Sequence, residues 1–296
     1  MIYDSHIHLM PFKNDTPAQF REKAHSVGVT GGLIFSLPPT DTLFWKGTQP
    51  PTWQERIAHV LDFCAGLEGF YPFYWINPTE PDAAAQVEYA KNAGIRGLKV
   101  LCSTYYPAEG LAAYRKAAEL RMPILFHSGI LWDGMPSSDF NRPCKFECLL
   151  DVPDVRFALA HVSWPWTDEC IALFGKLRQA HSLRKDAPDM YVDTSWGAAD
   201  IFRDEIFRKF ILVRYGIADK LLFAIDSEAN AYNTAWAKYI IDFDSAMFRR
   251  LQQQYGSWRG YVSPHAAEVP DEVRNPFVNA FEKATTENML NFLKPW

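Results

Sequence analysis

Short apolar runs, rich in β-branched and aromatic residues, recur along the chain, and stretches with apolar residues every three or four positions separate them. The runs begin at Ile2 (IYDSHIHL), Gly32 (GLIFSL), Phe70 (FYPFYWI), Arg96 (RGLKVLC), Pro123 (PILFHSG), Val155 (VRFALAH), Met190 (MYVDTS) and Leu221 (LLFAID). Successive starts lie 26 to 38 residues apart, close to the roughly 30 residues that one βαβ unit consumes. Alternation of this kind is the pattern of parallel strands covered by helices, so the fold class is α/β. Eight units predict a closed (β/α)8 TIM barrel, with a doubly wound open sheet as the competing arrangement, because periodicity alone does not close a sheet.

Helices are predicted over 81–93, where Asp82 stands near the start and Gly94 just past the end, over 109–120, and over 167–180. The last of these carries Cys170, Ile171, Phe174 and Leu177 as one apolar stripe, which reads as plain packing against the sheet. About 70 residues follow the eighth run, more than one barrel helix needs. They read as a helix over 233–255, a loop through Pro264 and Pro270, and a last helix over 276–293. No Pro/Gly/Ser linker sets them apart, so 1–296 is expected to be a single domain with 233–296 as a C-terminal helical extension packed on the barrel.

Composition narrows the class of function. Of 296 residues, 48% are hydrophobic and 22% charged, the ordinary range of globular chains. Lys plus Arg is 30 against 35 for Asp plus Glu, a net charge of -5 with no basic run, which argues against nucleic acid as a partner. Five cysteines without a CxxC pair argue against a disulfide framework or zinc knuckle, and Cys144 and Cys148, four apart, read as packing thiols. No run approaches the roughly 20 apolar residues of a membrane helix, and Asp4, His6 and His8 interrupt the place where a signal peptide needs an apolar core. The expectation is a cytoplasmic protein acting on a small molecule, away from membranes. Aromatic residues reach 15%, with 10 Trp, and that excess needs a location.

On a strand, His6 and His8 project from one face about 6.6 Å apart, close enough for both imidazoles to reach one metal ion. Alone the pair is a weak signal, since two polar residues on an exposed face look the same. The fifth run ends in Phe126-His127, the sixth in Ala160-His161 and the eighth in Ile225-Asp226, and the C-terminal ends of barrel strands are where active sites are built. Singly, His127 or His161 would be read as a core histidine; together the five residues point to a site.

Asp4-x-His6-x-His8, His127, His161 and Asp226, in this order and across essentially the whole chain, resemble the amidohydrolase superfamily of metal-dependent barrel enzymes. The likeness is greatest to its amidohydrolase-related branch, called amidohydrolase 2, which includes lactone hydrolases and decarboxylases. The resemblance implies that His6, His8, His127 and Asp226 bind one divalent ion, zinc in first place and manganese in second. It further implies a metal-activated water, with Asp226 and His161 as the catalytic proton-transfer groups. Lys99, on the fourth strand, has two readings: a carboxylated bridge between two metals, or, preferred here, a substrate-facing cation beside a single metal, with a simple strand cap as the bland alternative. Asp4 shares a face with His6 and His8 by strict alternation and reads as a hydrogen-bond partner of a ligand histidine or as a polar cap.

Loops after the strands supply candidate substrate contacts: Tyr105, Trp164, Trp196, Glu228 and Asn230, the tryptophans as a flat apolar wall with one donor each or as ordinary loop packing. His25, His59, His181 and His265 fall away from strand ends and read as surface histidines, His265 being the least certain. The leading function is a hydrolase of an amide or lactone bond in a small organic substrate, expected as a homodimer. A decarboxylase on the same centre is the alternative, for which Arg142 is the candidate cation, and a non-catalytic metal-binding barrel is the third.

Overall fold

A computed structural model describes residues 1–39, 42–255 and 276–296. Its strands are β1 (Ile2–His8), β2 (Val29–Phe35), β3 (Phe70–Trp75), β4 (Gly97–Val100), β5 (Ile124–Phe126), β6 (Arg156–Leu159), β7 (Asp189–Asp193), β8 (Leu221–Leu222) and β9 (Ser227–Glu228). The order is β8-β7-β6-β5-β4-β3-β2-β1-β9, and every neighbouring pair is parallel. β8 and β9 are successive pieces of one eighth strand, the first paired with β7 and the second with β1. Between them the Ser5 amide donates to the Phe223 carbonyl at 2.9 Å, so the sheet closes into the (β/α)8 TIM barrel.

Eight α-helices lie within the described residues before 256: α1 (Pro17–Ser26), α2 (Thr42–Trp45), α3 (Trp53–Cys64), α4 (Ala83–Ala93), α5 (Leu111–Glu119), α6 (Thr167–Leu183), α7 (Asp200–Leu212) and α8 (Thr234–Gln254). Local chemistry explains several starts. Thr16 with Gln19, and Thr52 with Glu55, form reciprocal capping boxes at α1 and α3. Gly94, at φ +110°, ends α4 in the left-handed conformation. The predicted helices at 81–93, 109–120, 167–180 and 233–255 all appear within a few residues, the second beginning with a 3-10 turn, Pro107–Gly110. β2 starts at Val29 rather than at Gly32.

Alternation along the strands sorts side chains into two clusters. One faces the helices and includes Ile34, Leu98, Ile124, Phe157 and Val192. The other lies inside the barrel and contains Tyr3, Leu33, Phe73, Leu125, Tyr191 and Leu222, together with Met289, Phe292 and Leu293 from the chain end. The extension thus packs its last helix, Asn288–Leu293, against the barrel interior. Arg156 binds the carbonyls of Asn291, Phe292 and Lys294, and Asn288 donates to those of Ala218 and Leu221. The expected loop through Pro264 and Pro270, with His265, lies outside the described residues.

β1 departs from strict alternation. Its register with β2 slips by one residue between Asp4 and Ile7, a β-bulge that turns His6 and His8 onto the inner side already used by Tyr3. The expectation that Asp4 shares their face is therefore corrected: its Oδ1 accepts the amides of His6 and Ile225 and its Oδ2 the Ser227 hydroxyl. Asp4 ties β1 to the eighth strand and does not touch a histidine ring.

Candidate metal centre

At the C-terminal end of the barrel the bulged β1 delivers His6 and His8 with their Nε2 atoms 3.0 Å apart. Asp226 follows β8 in a left-handed conformation, φ +62°, which aims its Oδ1 to 3.7 Å from His6 Nε2 and 3.6 Å from His8 Nε2. One ligand atom from each of the three lies within 4.8 Å of the others. A non-glycine residue in that conformation is strained, and such strain persists where the surroundings over-determine it.

The electrostatics keep the nitrogens ready to act as ligands. Burial holds the imidazoles of His6 and His8 neutral, far below the usual histidine range, with the positive charge of Lys99 adding to it. His6 donates Nδ1–H to Asp193 Oδ2 at 3.0 Å, leaving its Nε2 lone pair toward His8 and Asp226. Lys99 Nζ stands 3.2 Å from His6 Nε2; burial pushes its ammonium down to about 8 while Asp193 and Asp226 work the other way. The Asp226 carboxyl is pushed up by burial, to about 7, against the pull of Lys99. Two imidazole lone pairs converging beside a carboxylate fit a divalent ion of mixed nitrogen and oxygen preference.

His127 stands outside that three-residue cluster. Its Nδ1 is 3.1 Å from His161 Nε2, and its Nε2 is buried with no hydrogen-bond partner. Ser195 Oγ accepts the His161 amide at 3.2 Å and lies 2.8 Å from His161 Nδ1. If His161 donates Nδ1–H to that oxygen, its Nε2 accepts from His127 Nδ1–H, and the lone pair on His127 Nε2 is left without a donor. Burial holds the His127 imidazole down to about 3. His161 occupies the first of three successive left-handed residues, His161, Val162 and Ser163, and its Nδ1 is 4.0 Å from Asp226 Oδ2. Gly197 makes room for it: a Cβ there would sit 2.5 Å from His161 Cβ.

A cavity of about 670 Å³ opens above these groups. Lys99, Trp196 and Glu228 line it, joined by Trp75, Phe44 and Trp132, which the sequence did not single out. Three expected substrate contacts are placed elsewhere. Tyr105 turns its hydroxyl to the Leu101 carbonyl, and Asn230 clips the backbone at Met10 and Lys13. Trp164 packs between Trp132 and Phe202 behind the wall. Arg142 pairs with Glu169 and lies over the Trp166 ring, away from the cavity.

Asp193 is the functional residue that sequence reasoning missed. It ends β7 in the run MYVDTS, and its carboxylate serves His6, the Ser5 hydroxyl and the Ser195 amide at once. A strand-terminal Asp at the same end as the other ligands was the available signal.

Known proteins share this fold. Among solved structures, the chain is similar to an uncharacterised TIM-barrel protein from Bordetella bronchiseptica, with 15% identity, a TM-score of 0.63, and coverage of 99% of this chain and 98% of that one. An amidohydrolase from Burkholderia multivorans with bound zinc has 10% identity and a TM-score of 0.60 over 99% of both chains. A probable 2-pyrone-4,6-dicarboxylic acid hydrolase from Acinetobacter baumannii has 10% identity and a TM-score of 0.56 over 99% and 98%. At these identities the likeness is one of fold. No curated protein sequence matches. The amidohydrolase family model matches residues 3–227, about three quarters of the chain and every strand described above, and the chain belongs to the amidohydrolase family.

Proposed function

We propose that the chain is a metal-dependent hydrolase of an amide or lactone bond in a small organic substrate. The observation that carries this reading is the convergence of His6 Nε2, His8 Nε2 and Asp226 at the floor of the cavity, beside His161. His6, His8 and Asp226 would hold one divalent ion, zinc by the donor set, with His127 as the fourth ligand. Such an ion lowers the pKa of a bound water toward about 7 and polarises a carbonyl oxygen. His161 Nδ1, 4.0 Å from Asp226 Oδ2, would take part in proton transfer to a group bound beside Asp226 by exchanging its contact with Ser195. Lys99, which lines the cavity, supplies a fixed cation toward the substrate, and Asp193 holds the His6 tautomer. Decarboxylation of an acid would call for a cation at the leaving carboxylate; Arg142 is committed to Glu169 instead, which favours hydrolysis.

The test is metal analysis of the purified protein followed by a screen of lactones, amides and aromatic carboxylates with zinc or manganese added. Bound metal and water-dependent ring opening or amide cleavage are expected, and His161→Asn should keep the metal while losing most of the turnover, about 100-fold or more. Absence of bound metal and of stimulation by either ion overturns the proposal. Carbon dioxide release from the aromatic carboxylates would move the chain to the decarboxylases, and undiminished activity of His161→Asn would remove it from the proton path.

A further inference from the structure

The cavity walls carry information that the metal ligands do not. Trp75 lies 5.1 Å from the His8 ring, centroid to centroid, and Phe44 meets Trp75 edge-on at 5.8 Å. Trp196 is held by Trp236 and Phe243, at 5.6 and 5.4 Å, and by the buried Arg203 guanidinium 4.4 Å over its ring. Trp132, on the loop after β5, lines the same cavity yet is 77% exposed. Its ring stacks on Trp164 at 6.3 Å, and the indole surface still left in water at the rim of the cavity is one that an apolar partner would cover. Charge acts in the same direction. Among the described lining residues Lys99 faces three carboxylates, Asp133, Asp226 and Glu228, and a divalent ion held by Asp226 would bring the formal sum to zero. Asp133 accepts the Met135 amide and the Ser137 hydroxyl, and Glu228 pairs with Lys13 at 3.5 Å.

Resting on the hydrolase reading above, we infer that the substrate is a flat, uncharged aromatic ring system that carries the scissile carbonyl, and that Trp132 determines this specificity by stacking on it. Aliphatic rings lack the face that an indole matches, and a dianion would give a lining that is neutral with the divalent ion bound a net negative charge. In an aryl lactone the reaction adds one water: its oxygen bonds to the carbonyl carbon, the acyl–oxygen bond breaks, and one proton passes to the phenol oxygen.

The experiment uses the zinc-loaded full chain and Trp132→Ala, a substitution at an exposed side chain that leaves the core untouched. Turnover is measured with 3,4-dihydrocoumarin and with δ-valerolactone, and calorimetry follows the binding of oxindole, a flat unreactive lactam, and of isophthalate, an aromatic dianion. Trp132→Ala should lower kcat/KM for dihydrocoumarin about fivefold to tenfold, the size of an aromatic stacking contact, through KM. It should change the value for δ-valerolactone less than twofold. Oxindole binding should weaken by the same factor as dihydrocoumarin, and isophthalate should bind the unaltered protein at least tenfold more weakly than oxindole. Equal effects on both lactones, or isophthalate binding as well as oxindole, overturn the inference. If neither lactone is opened but oxindole binds and Trp132→Ala weakens it, the hydrolase reading fails and the assignment of the ligand class stands.

Discussion

Asp193 shows how one residue can organise a site without lining its cavity. Its carboxylate accepts His6 Nδ1–H and the Ser5 hydroxyl through Oδ2, and the Ser195 amide through Oδ1. Removing the acceptor frees the His6 ring to rotate and to change tautomer, so Asp193→Ala should weaken zinc binding about 10- to 100-fold, read by competition with a chromophoric chelator. Gly197 exerts its effect through space alone. With a Cβ only 2.5 Å from His161 Cβ, Gly197→Ala must displace the imidazole, and a misplacement of about 1 Å costs on the order of 100-fold in turnover. Metal content should stay unchanged, which separates this effect from loss of the ligand set. His127, His161 and Asp226 were legible as chemistry because each is a polar residue ending an apolar run, and His6 and His8 because they stand two apart on one strand. The partners of Asp4 and Asp193 were not, because a bulge and a contact between β1 and β7 decide them, and neither leaves a mark in spacing.

At the scale of elements, two ion pairs hold the barrel's outer layer around the mouth. Arg203 of α7 and Asp244 of α8 are both buried, paired through Nε at 2.9 Å and through Nη2, and Nη2 also reaches the Thr194 carbonyl after β7. Truncating the cation leaves a buried carboxylate alone, so Arg203→Met should destabilise the fold by about 3–5 kcal/mol in urea unfolding. The double substitution Arg203→Met with Asp244→Leu should recover most of that loss, since two apolar side chains need no partner. The second pair is half exposed: Arg142, on the loop after β5, binds Glu169 in the first turn of α6 and holds its carboxyl below the usual value of 4.5. A depressed carboxyl contributes stability above its unfolded value and loses it as pH falls through the lower folded one. Loosening of this loop should therefore begin only below about pH 4.5, followed by amide exchange at 143–151, and be absent in Glu169→Gln. Helix positions came readily from apolar periodicity and from capping residues such as Thr16 and Thr52; these pairings did not, because Arg203 and Asp244 are 41 residues apart.

For the molecule as a whole, the chain end is part of the barrel's core. Met289, Phe292 and Leu293 join Tyr3, Leu125, Tyr191 and Leu222 in an interior cluster that continues through Phe73 to Phe35, whose ring packs on His6 and His8. Phe292→Ala removes a fully buried ring that meets Tyr191 at 5.1 Å and should cost about 3–5 kcal/mol. Because Phe292 meets Tyr191 and not the candidate ligand rings, zinc affinity of the folded variant should be unaltered; a matching fall in affinity would show that the cluster couples the chain end to the site. Among the described residues no helix is long and apolar enough to cross a membrane, in keeping with the absence of any apolar run of that length.

What the sequence determined by itself is what repeats or ends locally: eight strand-helix units, the helix boundaries, and four histidines and an aspartate at strand ends. Hydrophobic periodicity and chain-local capping act over a few residues, so they are written in order along the chain. Tertiary structure alone decided closure through the broken eighth strand, the bulge that separates Asp4 from His6 and His8, the bond from Asp193 to His6, and which tryptophans face the cavity. Each depends on contacts between segments up to 223 residues apart, as in the bond from Ser227 to Asp4. Trp132 and Trp164 are alike in composition and position after a strand, and only the folding of one loop over another put the first at the cavity and the second behind it.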